Sequence, residues 1–247
     1  MERNQTFKMV RRLFKNDYGD PFELTPGQEE ITDMVFGRPF PRAQVLTYTQ
    51  YGKSDSIAIG GLLRATNFQD KWTIVAPSDK KKMIIMGYLI GHIFDNPVTT
   101  AKFNIEKGES MDRIRRERSK DHVTFKHDKG IGEVLALSAE GKRVKDIINV
   151  MLGFGSRNVI IDESPTLTEE HYAGILRMLG GHKDNCLIEI GNAIDRGHFF
   201  KASKDRNYHH IKINYEQGIK EGRQNPEYFE EMRRKMRPDL FSMLYEC

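Results

Sequence analysis

The chain has 247 residues, a length that suits one large domain or one domain with a small appendage. Of these residues, 38% are hydrophobic and 30% are charged, as expected of a soluble globular protein. Lys and Arg total 39 against 35 Asp and Glu, and the net charge of +4 permits a polyanionic partner without requiring one. The two cysteines, Cys186 and Cys247, form no CxxC pair. The charged residues 1–15 do not resemble a secretory signal. The longest apolar stretch, Met83–Phe94, is too short to cross a bilayer.

Short apolar strands alternate with amphipathic helices along the chain, a pattern typical of an α/β sheet with helices on both faces. The predicted strands are Arg42–Tyr48, Trp72–Ala76, His122–Lys126, Glu133–Ser138, Asn158–Ile161, Cys186–Ile190 and His209–Asn214. The predicted helices are Lys53–Ala65, Asp79–Phe94, Val144–Leu152 and Glu169–Leu179, followed by a polar helical region from Tyr215 onward. We therefore predict an α/β fold with a mostly parallel central sheet.

Residues 47–54 (TYTQYGKS) lie between a predicted strand and a predicted helix, which is the context of a phosphate-binding loop. A glycine lets the backbone pass close to a phosphate, and successive N–H groups at the start of a helix form an anion cradle. Lys53 would bring a positive charge to the β- and γ-phosphates, and Ser54 would offer a hydroxyl to Mg²⁺. Thr47 stands where the usual pattern has glycine, so an ordinary helix start is the alternative interpretation. The predicted nucleotide-binding residues are Thr49, Gln50, Tyr51, Gly52, Lys53 and Ser54.

Two carboxylates, Asp162 and Glu163, end the apolar strand Asn158–Ile161. Parallel strands deliver their carboxyl ends to the same edge of a sheet, where ligands bind in α/β folds. We expect Asp162 to support Mg²⁺ and Glu163 to orient and deprotonate the attacking water. Each motif alone has a simpler explanation, since Asp-Glu is a common way to leave a sheet. The two motifs together predict ATP hydrolysis, with ATP and Mg²⁺ as the cofactors.

The imperfect P-loop, the strand ending in Asp162-Glu163 and the later strand end Ile190-Gly191-Asn192 together resemble the large terminase subunit of tailed bacteriophages, over about Pro21 to the end of the chain. The resemblance implies a P-loop NTPase fold of the ASCE/RecA-like type and a motor that pumps double-stranded DNA into a procapsid. It implies double-stranded DNA, the portal protein and the small terminase subunit as partners. It also implies a homo-oligomeric ring when assembled, a monomer in isolation and no membrane. The expected location is the host cytoplasm and, transiently, the portal vertex of the capsid, but not the mature virion.

The resemblance assigns further roles to two polar residues. Gln28 matches a glutamine that contacts adenine, although Thr25-Pro26-Gly27-Gln28 is also a helix capping box with proline at the first helical position. Asn192 matches the coupling motif, which senses the γ-phosphate, and it could hydrogen-bond the lytic water or Glu163. A plain Gly-Asn turn is the alternative for Asn192.

Arginines are expected in two further roles. Many terminases have an arginine inside the P-loop where this chain has Thr49, so an arginine acting in trans is predicted, with Arg143 as the first candidate and Arg157 as the second. A motor that moves along any sequence should contact phosphates, and a basic cluster is predicted to do so, although a solvated, salt-bridged helix is the alternative. The predicted DNA-binding residues are Arg113, Arg115, Arg116 and Arg118, with Lys80-Lys81-Lys82 and Arg11-Arg12 as smaller basic groups.

The expected organisation is a P-loop ATPase domain with an N-terminal extension over residues 1–214 and a helical linker or lid over residues 215–247. Because no second set of acidic strand ends follows, nuclease activity is not expected in this chain. One alternative is a superfamily-2 helicase fragment, which would separate strands. Another is a nucleotide-gated DNA-binding assembly module with little turnover, which the threonines at positions 47 and 49 leave open.

Overall fold

Seven strands form one sheet in a computed structural model, which describes residues 4–140, 155–194 and 197–247. The strand order is β3-β4-β2-β5-β6-β1-β7, and every neighbouring pair is parallel except the β3–β4 hairpin. The α/β class and the mostly parallel sheet predicted from the sequence are confirmed. The strands are β1 (Arg42–Thr47), β2 (Lys71–Ala76), β3 (His122–His127), β4 (Gly130–Ser138), β5 (Asn158–Ile161), β6 (Cys186–Gly191) and β7 (His209–Ile213).

The helices connect the strands and form most of the C-terminal region. Those up to β4 are α1 (Gln5–Leu13), α2 (Pro26–Gly37), α3 (Lys53–Asn67), α4 (Asp79–Ile93), α5 (Pro97–Lys102) and α6 (Met111–Glu117). Those after β5 are α7 (Glu169–Leu179), α8 (His198–Ala202), α9 (Tyr215–Lys220), α10 (Pro226–Lys235) and α11 (Pro238–Phe241). The short helices α5 and α8 were not predicted, because five or six residues carry too little apolar periodicity. The predicted helix Val144–Leu152 lies outside the described residues.

Helices cover both faces of the sheet, as predicted. Successive strand residues point to opposite faces, so Ile74 packs in the core with α3 and α4, while Val75 packs in a second core. That second core includes Ile175 and Met178 of α7. Among the described residues, no helix combines the length and apolar character that a membrane crossing requires.

Buried charges close the amino end of the sheet. Asp70, 7% exposed, precedes β2 and accepts from Arg64 Nη2 at 2.8 Å and from Asn158 Nδ2 at 2.8 Å. Arg38 and Arg157 lie within 3.6 Å and 3.9 Å of the same carboxylate. Since each of these charges has a partner, this cluster serves to hold β2 and β5 in register.

A buried histidine joins α3 to α4. His92 Nε2 lies 2.9 Å from Asp55 Oδ1, and His92 Nδ1 lies 2.8 Å from Asp95 Oδ2. Asp95 Oδ2 also accepts from the backbone N–H of Lys15 at 3.1 Å, which ties the residues before α2 to this site. Burial alone would lower the pKa of His92, but the hydrogen bonds and charges of the two carboxylates outweigh it and raise the pKa to about 9.

The free energy of unfolding should therefore depend on the protonation of His92. The pKa of His92 is raised in the folded state, so its stabilisation is fully present below pH 6.5 and is lost as the pH rises through about 9. We expect a loss on the order of 3 kcal/mol. Urea denaturation of wild type, His92→Gln and the exposed control His182→Gln at several pH values would measure it. Equal pH dependence in wild type and His92→Gln would contradict the assignment.

Candidate functional site

The loop between β1 and α3 is held by its aromatic residues. Tyr48 and Tyr51 are buried, with ring centroids 5.4 Å apart, and Tyr48 also packs edge-on against Phe229 of α10. The Tyr51 hydroxyl lies 2.9 Å from Thr25 Oγ1. Gln50 and Gly52 have φ angles of 68° and 97°, so the backbone turns sharply between these anchors. These contacts fix the conformation of the loop.

The loop presents backbone donors that lack acceptors. Within the described parts of the chain, the N–H groups of Gln50, Tyr51 and Gly52 have no hydrogen-bond acceptor. The N–H groups of Lys53 and Ser54 belong to the first turn of α3, where no intrahelical acceptor exists. Five consecutive donors at the start of a helix make a site for an anion.

The predicted lysine and glutamate meet at the carboxyl edge of the sheet. Lys53 Nζ donates to Glu163 Oε1 at 2.9 Å, and both side chains are largely buried. Lys81 Nζ, from the first turn of α4, lies 3.5 Å from the same oxygen. Burial raises the pKa of Glu163, but the two lysines outweigh it and lower the pKa below its usual value. Glu163 is therefore ionised. It is held by Lys53 and Lys81, and a phosphate bound here would attract the same two side chains.

Asp162, the residue before Glu163, is buried and has a carboxylate oxygen without a hydrogen-bond partner among the described residues. The residue is 1% exposed, and the oxygen concerned is Oδ1. Burial raises the pKa of Asp162 to about 6, partly opposed by Lys53. A buried carboxylate oxygen without a partner fits a cation such as Mg²⁺, with Ser54 as the second protein oxygen. No group of three or more His, Cys, Asp or Glu within the described ranges could hold a metal, so phosphate and water oxygens would complete its shell.

Asn192 contacts the loop between β1 and α3. Its Nδ2 donates to Thr49 Oγ1 at 3.1 Å, and the side chain is 4% exposed. Thr49 also donates its backbone N–H to Leu244 O at 3.1 Å. The end of β6 is thus linked to the loop through Asn192 and Thr49. From the sequence, we expected Asn192 to bond Glu163 or the lytic water, and the structure shows a bond to Thr49.

Gln28 caps a helix and also lies against the loop. Its Oε1 atom accepts from the Thr25 N–H at 3.1 Å, completing the capping box at the start of α2. A Cβ atom built on Gly52 would lie 2.6 Å from Gln28 Nε2, so the other end of the amide touches the loop. The structure thus supports the capping role of Gln28. Its Nε2 donor lies beside Gly52 of the loop. The contact of Gln28 with adenine stays a prediction.

A buried polar network supports the backbone of Glu163. Glu163 has φ of 51°, a conformation that costs free energy in a residue with a Cβ. The next residue, Ser164, is fully buried and donates to Glu189 Oε2 at 2.9 Å. Glu189 is itself fully buried and accepts from Tyr208 at 2.9 Å and from Tyr172 at 3.2 Å. The network fixes Ser164 and thereby the direction of the Glu163 side chain.

Of the two predicted arginines, the structure describes only Arg157. Arg143 lies outside the described residues. Arg157 directly precedes β5 and is ion-paired to Asp184, and five residue steps of extended chain, about 16 Å, separate it from Asp162. Within its own chain it cannot reach the loop, and action in trans stays a prediction.

The predicted DNA-binding cluster forms the exposed helix α6 and the residue after it. Arg113 Nε pairs with Glu117 at 3.0 Å, as the salt-bridged alternative predicted, and Arg116 Nη2 lies 4.0 Å from the same carboxylate with its side chain 77% exposed. The Arg115 guanidinium lies 5.9 Å from the centre of the Phe94 ring, and Arg118 packs against Gly91.

Lys81 is a site residue that we did not predict as such. The sequence grouped it with Lys80 and Lys82 as a basic patch, yet these residues begin α4 directly after β2, which neighbours β5. Cations are unfavourable at a helix N-terminus, so lysines in this position signal a nearby anion. Here that anion is Glu163.

Removing the charge of Asp162 should stabilise the protein without nucleotide or divalent cations. Because burial disfavours the carboxylate, Asp162→Asn should raise the free energy of unfolding at pH 7 by on the order of 1–3 kcal/mol. Thermal and urea denaturation in EDTA would measure the difference, with the exposed Asp128→Asn as control. A variant less stable than wild type would show that Asp162 has a structural role instead.

The fold is similar to solved structures, although no family model and no curated protein sequence matches the chain. The large terminase of bacteriophage HK97 aligns with a TM-score of 0.71 at 17% identity, over 98% of this chain and 53% of that chain. The ATPase domain of the Thermus phage P74-26 large terminase aligns with a TM-score of 0.67 at 14% identity, over 95% of this chain and 98% of that one. The large terminase of a further thermophilic bacteriophage, in complex with ADP, aligns with a TM-score of 0.64 at 8% identity, over 90% of this chain and 52% of that chain.

A helicase is also similar, though less so. The UvsW helicase of bacteriophage T4 aligns with a TM-score of 0.53 at 14% identity, over 86% of this chain and 68% of that chain. The chain spans about half the length of the HK97 large terminase and of the ADP-bound large terminase, and nearly all of the P74-26 ATPase domain. At these identities the similarity establishes the fold alone, and the chain has the fold of the ATPase domain of phage large terminases.

Proposed function

We propose that the chain is an ATP-hydrolysing motor domain that drives double-stranded DNA into a procapsid. The observation that carries the proposal is one constellation at the carboxyl edge of the sheet. Five backbone donors at the start of α3 adjoin Lys53, whose Nζ lies 2.9 Å from Glu163 Oε1, beside the unsatisfied Asp162. The ADP complex of the similar large terminase from a thermophilic bacteriophage is consistent with a nucleotide at this loop.

The residues suggest how hydrolysis would proceed. The loop and Lys53 would bind the phosphates, while Ser54 and Asp162 would hold Mg²⁺, which neutralises charge on the phosphate oxygens. Lys53 is ion-paired with Glu163. The γ-phosphate would compete for Lys53 and leave the Glu163 carboxylate to orient and deprotonate the attacking water. Lys81 would supply a second positive charge beside the γ-phosphate.

Assembly would complete the motor. We infer that copies form a ring in which Arg143, or else Arg157, reaches the neighbour's γ-phosphate, because the loop of this chain has Thr49 in place of an arginine. Asn192, bonded to Thr49, would transmit the nucleotide state to the elements that hold DNA. The ring would act with the portal protein and the small subunit at the capsid vertex. Residues 1–214 would form the ATPase domain and residues 215–247 a lid.

A helicase is the second candidate, favoured by the similarity to the T4 UvsW protein. A helicase separates strands, whereas a packaging motor moves along an intact duplex. Displacement of one strand from a forked duplex would favour the helicase, and ATPase stimulation by blunt duplex DNA without displacement would favour the motor.

Glu163→Gln should abolish ATP hydrolysis while ATP binding persists. The amide cannot accept the proton of water, so kcat should fall at least about 100-fold, within the range for loss of a general base. Phosphate release measures kcat, and equilibrium binding of ATPγS measures affinity. A Glu163→Gln variant with normal kcat would exclude Glu163 as the base.

The arginine in trans is tested by mixing two inactive variants. If Arg143 acts on a neighbour, wild-type turnover should rise faster than linearly with protein concentration. Arg143→Ala should then be inactive, and mixing it with Glu163→Gln should restore part of the rate. Linear turnover and a fully active Arg143→Ala would exclude Arg143, and the same series with Arg157→Ala tests the second candidate.

The basic cluster should bind DNA through phosphates. Arg116→Ala should weaken duplex binding equally for all sequences and reduce the slope of log affinity against log salt by about 1. Arg113→Ala should have a smaller effect, because Arg113 is hydrogen-bonded to Glu117 at 3.0 Å, whereas Arg116 lies 4.0 Å from that carboxylate. Fluorescence anisotropy over a series of salt concentrations measures both. An unchanged slope after replacing all four arginines would exclude α6 from the DNA path.

A further inference from the structure

A cationic side chain from the C-terminal region lies at the phosphate-binding loop. A Cβ atom built on Gly52 would come within 2.9 Å of Arg223 Nη2 and 3.6 Å of Arg223 Cζ. The guanidinium therefore adjoins the residue that precedes Lys53, although 170 positions separate Arg223 from Lys53 in the sequence. Gly52 has φ of 97°, a conformation that favours glycine, and the missing side chain leaves the space that the guanidinium enters.

The backbone around Arg223 is set by a helix-ending motif. Helix α9 ends in a Schellman motif, in which the Arg223 N–H donates to Gly218 O at 2.9 Å and the Gly222 N–H donates to Ile219 O at 3.0 Å. Gly222 has φ of 72°, the left-handed conformation that this motif needs. The motif reverses the chain at a fixed point and directs the residue after Gly222 toward the loop.

A partly buried hydrogen-bonded clamp holds this turn against the loop and the start of α2. Glu221 accepts from the Tyr51 hydroxyl at 2.5 Å and from the Gly27 N–H at 3.1 Å. Gln217 Nε2 donates to the same carboxylate at 2.9 Å. Because Tyr51 belongs to the loop and Gly27 to the first turn of α2, the clamp fixes the position of Arg223 relative to both.

The exposed Arg223 guanidinium lies against Gly52 of the loop. Among the described residues it makes neither a hydrogen bond nor an ion pair, and the N–H groups of the loop beside it also lack acceptors. A guanidinium beside unpaired N–H donors adds positive potential to the loop, which a bound anion would neutralise. An arginine offers a fork of donors that suits phosphate oxygens.

We propose that Arg223 binds, in cis, the phosphates that ADP and ATP share. This inference rests on the proposed nucleotide site. The bound nucleotide would then join the loop to the turn after α9, so that residues 215–247 contribute to affinity for both nucleotides. The contact is made before and after hydrolysis, so Arg223 contributes to binding and not to the chemical step.

The test compares affinity with turnover. For Arg223→Ala we expect the affinities for ADP and ATPγS to fall by a similar factor of about 10- to 100-fold, as loss of a charge-assisted hydrogen bond predicts. Adenosine, which has no phosphate, should bind wild type and variant alike. kcat at saturating ATP should change less than about twofold, since uniform binding affects KM alone. Arg223→Lys should lie between the two, and Arg234→Ala, an exposed arginine on α10, should match wild type.

The outcomes separate this inference from the proposed function. Unchanged ADP and ATPγS affinities in Arg223→Ala, with nucleotide binding to wild type intact, would overturn the role of Arg223 alone. A loss of kcat with unchanged ADP affinity would also overturn it, because the contact would then be with the γ-phosphate. If wild type binds no nucleotide and Lys53→Ala makes no difference, the proposed function fails as well. Equal melting temperatures of Arg223→Ala and wild type would exclude misfolding as the cause.

Discussion

The ion pair between Lys53 and Glu163 is the interaction on which the site depends. Its partners are 110 residues apart, and their side chains are 11% and 15% exposed, so only a fixed sheet can bring them within 2.9 Å. Strand β6 lies between the strands that deliver them, and parallel pairing aligns all three carboxyl ends. The same alignment places Asn192 beside the loop. The chemistry of the site therefore follows from strand order and register.

The two edges of the sheet carry polar groups of different character. At the amino edge, Asp70 is surrounded by arginines and Asn158, and its charge is balanced. At the carboxyl edge, an oxygen of Asp162 and the N–H groups of the loop have no partners within the described residues. Desolvated groups without partners cost free energy. Such atoms occur at the amino edge too, at Arg38 Nε, Arg157 Nε and Asn158 Oδ1, so what distinguishes the carboxyl edge is that an unsatisfied carboxylate oxygen lies with a lysine and the free N–H groups of a loop, an arrangement that suits a ligand.

The departure of the loop from the usual glycine pattern has a structural explanation. Thr47 is the fully buried last residue of β1 and is absent from the positive-φ positions, so it needs no glycine there. The Tyr48 N–H donates to Ile213 O and the Thr49 N–H donates to Leu244 O. The buried rings of Tyr48 and Tyr51 pack against each other and anchor the loop to the core. The C-terminal region thus supports a loop that a glycine-rich sequence would shape by backbone freedom alone.

Local patterns in the sequence determined the strands, the long helices and both charged motifs, because apolar periodicity and strand-end chemistry act over a few residues. They also indicated the capping box at Gln28, but not that its amide nitrogen touches Gly52. Only the tertiary structure decided that Lys81 reaches Glu163, that Asn192 bonds Thr49, and that Arg223 lies at the loop. Each of these contacts joins segments far apart in the chain. Their geometry depends on strand order and on how the C-terminal helices pack, which no local pattern encodes.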